Sequence, residues 1–180
     1  MSSIPADLGG GLVLRQVEGG DARALSAALR RNRDHLAPWN PERGDGFSTE
    51  AGQAELIGRL LGDAEAGTCL PLVITSGSDV VGALTVSQIY QGPFQSGNVG
   101  YWIDRELEGR GIMTRVLGAV VEHVSTELGL HRLQAATLLS NRRSQDVLER
   151  NGFTRIGVAE RYLQIAGRWQ DHLLFQRIME

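Results

Sequence analysis

Val99-Gly100-Tyr101-Trp102-Ile103, followed by Glu108-Gly109-Arg110-Gly111-Ile112-Met113-Thr114, is the stretch that decides the fold of this chain. The first segment is aromatic and β-branched, which predicts a buried strand. After the second segment, apolar residues recur at helical spacing from Ile112 to Leu128, which predicts a long amphipathic helix. Two glycines allow a tight turn between strand and helix, and the first helical N–H groups are left unpaired. Because such a helix start carries roughly half a positive charge, the stretch predicts a cradle for a diphosphate.

Two familiar phosphate loops do not fit this cradle. A Walker loop ends in Gly-Lys-Ser/Thr, whereas Gly111 is followed by Ile112 and Met113. A dinucleotide-binding fingerprint requires a third glycine where Thr114 stands. Considered alone, Gly109-Arg110-Gly111 could equally be an ordinary glycine-rich connection without a ligand.

Length and composition predict one globular domain. The chain has 180 residues, of which 42% are hydrophobic and 22% charged, and this is enough to bury a core. The net charge of −3 argues against general nucleic-acid binding, because neutralising phosphates requires a basic surface. No stretch approaches the ~20 apolar residues of a membrane span, so no membrane association is expected.

The N-terminus and the single cysteine bear on location. Residues 1–11 lack the charged and apolar regions of a signal peptide. They are predicted to be a flexible tail before a domain that spans residues 12–180. Cys69 cannot form an internal disulfide, so a cytoplasmic protein is expected, and its apolar surroundings favour a core thiol over a nucleophile.

Periodicity and turn residues predict a mixed α/β domain in the order β-α-α-β-β-β-α-β-α-β-β. The strand before the cradle, the long helix and the strand at His131–Leu138 form a right-handed crossover, so these two strands should be parallel. Ligands in such sheets bind beyond the carboxyl ends of the strands, where the cradle lies. A short helix begins at the same edge, and Asn141 and Ser144 can either cap it or donate to a ligand.

Several motifs, taken in this order, resemble those of the GNAT acyltransferases. They are Val99–Met113, Gly129-Leu130-His131-Arg132-Leu133, Asn141-Arg142-Arg143-Ser144, Val147-Leu148-Glu149-Arg150-Asn151-Gly152-Phe153 and Gly167-Arg168-Trp169-Gln170-Asp171-His172. His35-Leu36-Ala37-Pro38-Trp39 also resembles a Leu-x-Pro-Trp turn of the ribosomal-protein-alanine N-acetyltransferase subgroup. The resemblance covers about Leu12 to the C-terminus, and the ordered set is more specific than any single motif.

The resemblance implies a single GNAT-like domain with a mostly antiparallel mixed sheet and helices on both faces. It also implies that the parallel strand pair splays apart beside a site for acetyl-CoA or another acyl-CoA, without a metal. In the family the loop holds the diphosphate and the preceding strand holds the pantetheine. The corresponding positions here are Trp102, Ile103, Gly109, Arg110, Gly111, Ile112, Met113, Thr114, Asn141 and Ser144. The chain departs from the family at Glu106, where Gln or Arg is preferred, but the phosphate donors are main-chain groups.

Acyl transfer to an amine needs a base for the ammonium, donors for the oxyanion and a proton for the thiolate. Many relatives use a tyrosine in the helix after Asn141 for the thiolate, whereas the resemblance assigns that role here to Ser144. The subgroup's carboxylate position falls near Leu163, which cannot act. Glu160, three residues earlier, would face the slot in a different register, and with a water molecule it is the candidate base. The alternatives are that Glu160 is only a solvated charge on the strand and that no single residue serves as the base. Asp171 and His172 follow each other on the last strand and must face different sides.

Aromatic side chains are the candidates for the walls of the acceptor slot. We assign Trp39, Tyr90 and Trp169 to this slot. Trp102 is equally expected in the slot and in the core. The resemblance implies that the acceptor is an amine such as an N-terminal alanine or serine of a ribosomal or other protein. The alternatives are a small amine (antibiotic, polyamine or amino acid), a larger acyl donor, or a non-catalytic acyl-CoA sensor. Members of the family often form dimers, so a homodimer is compatible with the sequence.

Overall fold

The computed structural model describes residues 4–179. Within that range there are eight strands: β1 (Ala6–Gly9), β2 (Leu12–Gln16), β3 (Leu70–Ser76), β4 (Asp79–Tyr90), β5 (Ser96–Ile103), β6 (Arg132–Leu138), β7 (Thr154–Ile165) and β8 (Arg168–Ile178). The α-helices of the same range are α1 (Ala22–Arg31), α2 (Arg33–Leu36), α3 (Glu50–Glu65), α4 (Ile112–Thr126) and α5 (Arg142–Arg150). Every strand and helix predicted from residue 12 onward is present.

The strands form one sheet in the order β1-β2-β3-β4-β5-β6-β8-β7. Strands β5 and β6 are parallel, as the crossover through α4 predicts, and the other neighbouring strands are antiparallel. The β5–β6 pairing covers Ser96–Asn98 against Arg132–Gln134 and then ends. Beyond that point β5 continues beside β4, while β6 continues beside β8. The two strands therefore splay apart and leave a gap in the middle of the sheet.

Helices cover both faces of this sheet, as predicted. On one face α4 buries an apolar stripe that includes Val116 and Val120, and Leu148 of α5 joins the same core. On the other face α1 and α3 pack through Leu25 and Ile57. None of the helices within residues 4–179 is both long and apolar enough to cross a membrane. Because one face of α4 is buried against the sheet, the N-terminus of α4 has a fixed position at the end of the loop that follows β5.

The N-terminal segment differs from the prediction. Residues 1–11 are expected to be a tail, but Ala6–Gly9 form an antiparallel edge strand against β2, so the expectation is wrong for these residues. Ile4, Ala6 and Leu8 pack against the core. This alternation of apolar residues is typical of a strand, although the overall composition of the segment does not indicate one. Residues 1–3 of the predicted tail lie outside the described residues.

Cys69, just before β3, is buried. Its burial, together with the nearby charge of Asp63, raises the pKa of the thiol to about 11. The thiol is therefore protonated at neutral pH and behaves as a small core side chain rather than as a nucleophile.

Candidate active site

The loop between β5 and α4 forms the predicted cradle. Gly109 and Gly111 have φ values of 72° and 70°, in the left-handed region that favours glycine. Gly111 is the N-cap of α4, and no side chain of the described residues caps this helix end. The first N–H groups of α4 therefore lack an intrahelical acceptor and can bind an anion. Ile112 and Met113 are buried beneath them and hold the helix start in place.

A cleft of about 850 Å³ opens beside this loop and continues into the gap between β5 and β6. Its volume falls in the range of small-molecule sites. The walls come from both ends of the gap: the start of α5 on one side, and the turn after α2 with parts of β7 and β8 on the other. The glycine loop and the splayed strands therefore share one continuous space.

The start of α5 places Asn141 and Ser144 in the wall of the cleft. Asn141 is the N-cap of α5, and its Oδ1 atom accepts a hydrogen bond from the Ser144 N–H at 3.2 Å. The predicted capping role of Asn141 is thus confirmed. The Ser144 hydroxyl oxygen instead lies 2.9 Å from the hydroxyl oxygen of Tyr101 on β5.

Tyr101 is a site residue that the sequence analysis missed. Its ring packs against the core on the α4 face, and its hydroxyl donates to the Ser144 carbonyl oxygen at 3.1 Å. Burial raises the pKa of Tyr101 to about 12, while the hydrogen bond to the Ser144 side chain acts in the opposite direction. The phenol is therefore protonated at neutral pH. The hydroxyl of a buried tyrosine needs a hydrogen-bond partner, but the local sequence cannot identify a partner that lies 43 residues away.

Glu108 connects elements on both sides of the cleft. Its carboxylate pairs with the Arg143 guanidinium of α5 and lies 3.5 Å from the Nε2 atom of His35 in α2. All three side chains belong to residues that line the cleft. The loop is therefore tied to α2 and α5 through one acidic side chain.

Asp104 ties α1 to the same loop. Its carboxylate accepts hydrogen bonds from Arg31 Nε at 2.7 Å and from the Glu106 N–H at 3.2 Å. The Asn32 side-chain oxygen accepts from the Arg105 N–H at 3.0 Å. Burial by itself would raise the pKa of Asp104, but these hydrogen bonds outweigh it, and the pKa is lowered. Asp104 is therefore a charged anchor for the loop.

The cleft brings together most of the residues predicted for the donor side. Those that line it are Trp102, Ile103, Gly109, Gly111, Ile112, Met113, Thr114, Asn141 and Ser144. Arg110 is exposed and is not among the lining residues. On the acceptor side, Trp39 lines the cleft, and so does Leu163, the position at which the family's spacing places a carboxylate.

Besides Arg110, three predicted residues lie outside the cleft. Tyr90 pairs with Ser96, the first residue of β5, and so lies at the end of the sheet away from the cradle. Trp169, on the β7–β8 hairpin, is 63% exposed and lines a separate depression beside the cleft. Glu160 lies in the stretch of β7 where the register shifts, and it is exposed and outside the cleft. A shift of register changes which side chains face the gap, and residue spacing alone does not reveal it.

His172 enters the cleft from β8 and is only 3% exposed. Its Nδ1 atom lies 2.9 Å from the Gln170 carbonyl oxygen. The carboxylate of the adjacent Asp171 points elsewhere, since its Oδ1 atom accepts from the Arg161 N–H at 2.8 Å. The expectation that these two neighbours face different sides is confirmed.

Comparison with known proteins agrees with this geometry. Residues 11–154 match the acetyltransferase (GNAT) domain family. Among solved structures, the ribosomal-protein-S5-alanine acetyltransferase from Vibrio fischeri is 33% identical with a TM-score of 0.90, and 93% of each chain is covered. Mycobacterium smegmatis RimJ, in complex with CoA-disulfide, is 33% identical with a TM-score of 0.88, and 93% of this chain and 81% of that one are covered.

A curated relative gives the same result. The [ribosomal protein uS5]-alanine N-acetyltransferase of Escherichia coli K12 is 31% identical over 165 residues, which is 91% of this chain and 85% of the relative. The fold, the glycine loop and the splayed strands thus define the class of protein as an N-acetyltransferase. The chain belongs to the GNAT acetyltransferase family.

Proposed function

We propose that the protein transfers the acetyl group of acetyl-CoA to the α-amine at the N-terminus of a protein, such as a ribosomal protein that begins with alanine or serine. The observation that carries this proposal is the continuity of the cleft from the glycine loop to the Ser144 hydroxyl beside the splayed strands. A donor with a diphosphate at one end and a thioester at the other matches that path. Relatives at 31% and 33% identity are named for acetylation of a ribosomal-protein alanine, which supports the acceptor class.

The donor would be held mainly by main-chain groups. In this proposal the N–H groups between Gly109 and Thr114 bind the diphosphate oxygens. From Val99 to Ile103, β5 pairs with β4, and its β6 side is unpaired among the described residues. The Asp104 N–H donates to the Val81 carbonyl oxygen of β4, so by alternation the main-chain groups of Trp102 also face β4. The main-chain groups of Tyr101 and Ile103 face the open side, where they can bind the amides of the pantetheine. The complex of Mycobacterium smegmatis RimJ with CoA-disulfide supports a CoA-type ligand for this cleft.

Ser144 is proposed to donate to the departing thiolate. A serine hydroxyl alone is a weak acid, but Tyr101 is protonated at neutral pH and lies 2.9 Å from the Ser144 Oγ atom. When Ser144 donates to sulfur, the Tyr101 proton can turn from the Ser144 carbonyl oxygen to the Ser144 Oγ atom, and such a chain strengthens both hydrogen bonds. Main-chain N–H groups near Ile103 are the candidates for stabilising the oxyanion.

The acceptor would enter between aromatic walls. Trp39 lines the cleft at the turn after α2, and Trp102 lines it from β5 while also packing against the α1–α3 core. Aromatic side chains at this end of the cleft suit a chain terminus with a small side chain.

Release of free thiol tests the proposal. The protein is mixed with acetyl-CoA and, separately, with peptides that have different N-termini and with a panel of small amines. The proposal expects release that depends on peptides beginning with alanine or serine. It also expects Ser144→Ala to lower kcat by about 100-fold while leaving the Kd for acetyl-CoA nearly unchanged. Release with small amines only would indicate a small-molecule acetyltransferase, and tight acetyl-CoA binding without release in either panel would indicate a sensor.

A further inference from the structure

His172 is a buried titratable residue in the cleft that the steps above leave without a role. Alternation along β8 determines which face of the sheet it occupies. Phe175, three residues further on, lies in the core beneath α4, so His172 points to the opposite face. Trp102 shares that opposite face, because it packs with the α1–α3 core. His172 therefore reaches the cleft from the same side as the aromatic walls of the acceptor slot.

The contact with Gln170 determines which ring nitrogen can accept a proton. A carbonyl oxygen only accepts hydrogen bonds, so Nδ1, at 2.9 Å, carries the hydrogen in the neutral ring. The Nε2 atom then carries the lone pair, and no group among residues 4–179 is hydrogen-bonded to it. A fixed ring with a free acceptor nitrogen is the arrangement that a general base requires.

The neighbours of His172 do not hydrogen-bond to its Nε2 atom. Its partners across the sheet are Leu138 on β6 and Ala159 on β7, both apolar. The titratable side chain packed against the ring is Tyr162 of β7, with the ring centroids 5.6 Å apart. The Asp171 carboxylate is bonded to the Arg161 backbone instead.

We propose that His172 is the general base of the acetyl transfer, an inference that rests on the function proposed above. The acceptor enters as an ammonium with three N–H protons and leaves as an amide with one. One proton passes to His172 Nε2 and then to water, and the nitrogen lone pair forms the C–N bond with the thioester carbonyl carbon. When the adduct collapses, the C–S bond breaks and its electron pair leaves on sulfur. The second N–H proton replaces the proton that the thiolate takes from Ser144.

His172→Asn separates a catalytic from a structural role. An asparagine amide can donate to the Gln170 carbonyl as Nδ1–H does, but it cannot accept a proton from an ammonium. The variant is expected to bind acetyl-CoA with wild-type Kd and to lose about 100-fold or more in kcat. His131→Gln is the matched control, because His131 is an exposed histidine outside the cleft, and it should keep the wild-type kcat.

His172→Ala provides a second test, by rescue. Added imidazole should enter the vacated space and restore part of the lost turnover, which a purely structural histidine would not allow. A folded His172→Asn variant with wild-type kcat would overturn the assignment. The assignment would also fail if imidazole did not restore the turnover of His172→Ala while Glu160→Gln lost its turnover. If His172→Asn does not fold, the imidazole titration of His172→Ala decides. If the wild-type protein releases no thiol with any amine, the proposed function fails, whereas wild-type turnover that is insensitive to His172 refutes this assignment alone.

Discussion

Among single residues, Gly111 contributes to the site through its backbone conformation. Its φ of 70° places it in the left-handed region, and an added Cβ atom would meet only Arg115, with the nearest atom at 3.8 Å. The cost of a side chain here is therefore backbone strain rather than a clash. Gly111→Ala is expected to lower the free energy of unfolding by about 1–2 kcal/mol and to weaken acetyl-CoA binding. Denaturant unfolding and calorimetric titration measure the two effects.

Gly58 offers the matched control for this substitution. It lies in the exposed part of α3, with nothing within 4 Å of an added Cβ atom. Gly58→Ala should raise the free energy of unfolding by about 0.5–1 kcal/mol, because alanine is the better helix former. Equal effects of the two substitutions would argue against a special backbone role for Gly111.

Tyr101 and Ser144 are expected to act as one unit. Tyr101→Phe removes the contacts of the phenol hydroxyl with the Ser144 hydroxyl and carbonyl oxygens, so kcat should fall by about tenfold or less. If Tyr101 works through Ser144, the double variant Tyr101→Phe, Ser144→Ala should be no slower than Ser144→Ala alone. Steady-state kinetics of the four proteins measures this coupling. Independent, multiplying effects of the two substitutions would contradict the relay.

At the scale of elements, the loop before α4 is held by charges from α1 as well as by its glycines. Asp104 and Arg31 join the end of β5 to α1, and the Asp104 side chain is 6% exposed. Asp104→Asn should lower the free energy of unfolding at pH 7 by about 1–3 kcal/mol, since a buried hydrogen-bonded charge is lost. Asp79→Asn, at an exposed position where β4 begins, is the control and should change little.

The effect of Asp104 should also depend on pH in a defined direction. Its pKa is lowered from the ordinary value of 3.8, so the folded state favours the carboxylate. The stabilisation is therefore fully present above the unfolded pKa and is lost as the pH falls through the folded pKa. Urea unfolding of wild type and Asp104→Asn between pH 7 and pH 3 should show the two stabilities converging at the acidic end. A constant difference across this range would show that the charge of Asp104 does not stabilise the fold.

Elements with strong local signals could be predicted from the sequence, and those that depend on distant partners could not. The apolar stripe of α4 and the glycines before it define the crossover without any other part of the chain. Strand β1 is only four residues long. It forms because the segment pairs with β2, which lets Ile4, Ala6 and Leu8 pack against the core. Glu160 lies outside the cleft, in the stretch of β7 where the register shifts, and that shift depends on pairing with β8.

At the scale of the whole molecule, the cleft is a product of topology. The sheet places β8 rather than β7 beside β6, and this brings His172 next to Leu138 at the gap. Contacts such as Tyr101 with Ser144, and Glu108 with Arg143, span 43 and 35 residues, so no local pattern reveals them. The donor half could be predicted because main-chain N–H groups and glycines carry it. The proposed acceptor half depends on side chains from four separate parts of the chain: the turn after α2, β5, β7 and β8.

In the proposed function, this cleft brings acetyl-CoA and a protein N-terminus together for acetyl transfer. The most direct measurement uses acetyl-CoA and a peptide with a free N-terminal alanine and one internal lysine, followed by fragmentation mass spectrometry of the product. We predict a single acetyl group on the α-nitrogen, absent when Ser144→Ala replaces the wild type over the same short reaction time. Acetylation of the lysine side chain alone, or an unmodified peptide beside intact acetyl-CoA, would contradict the account.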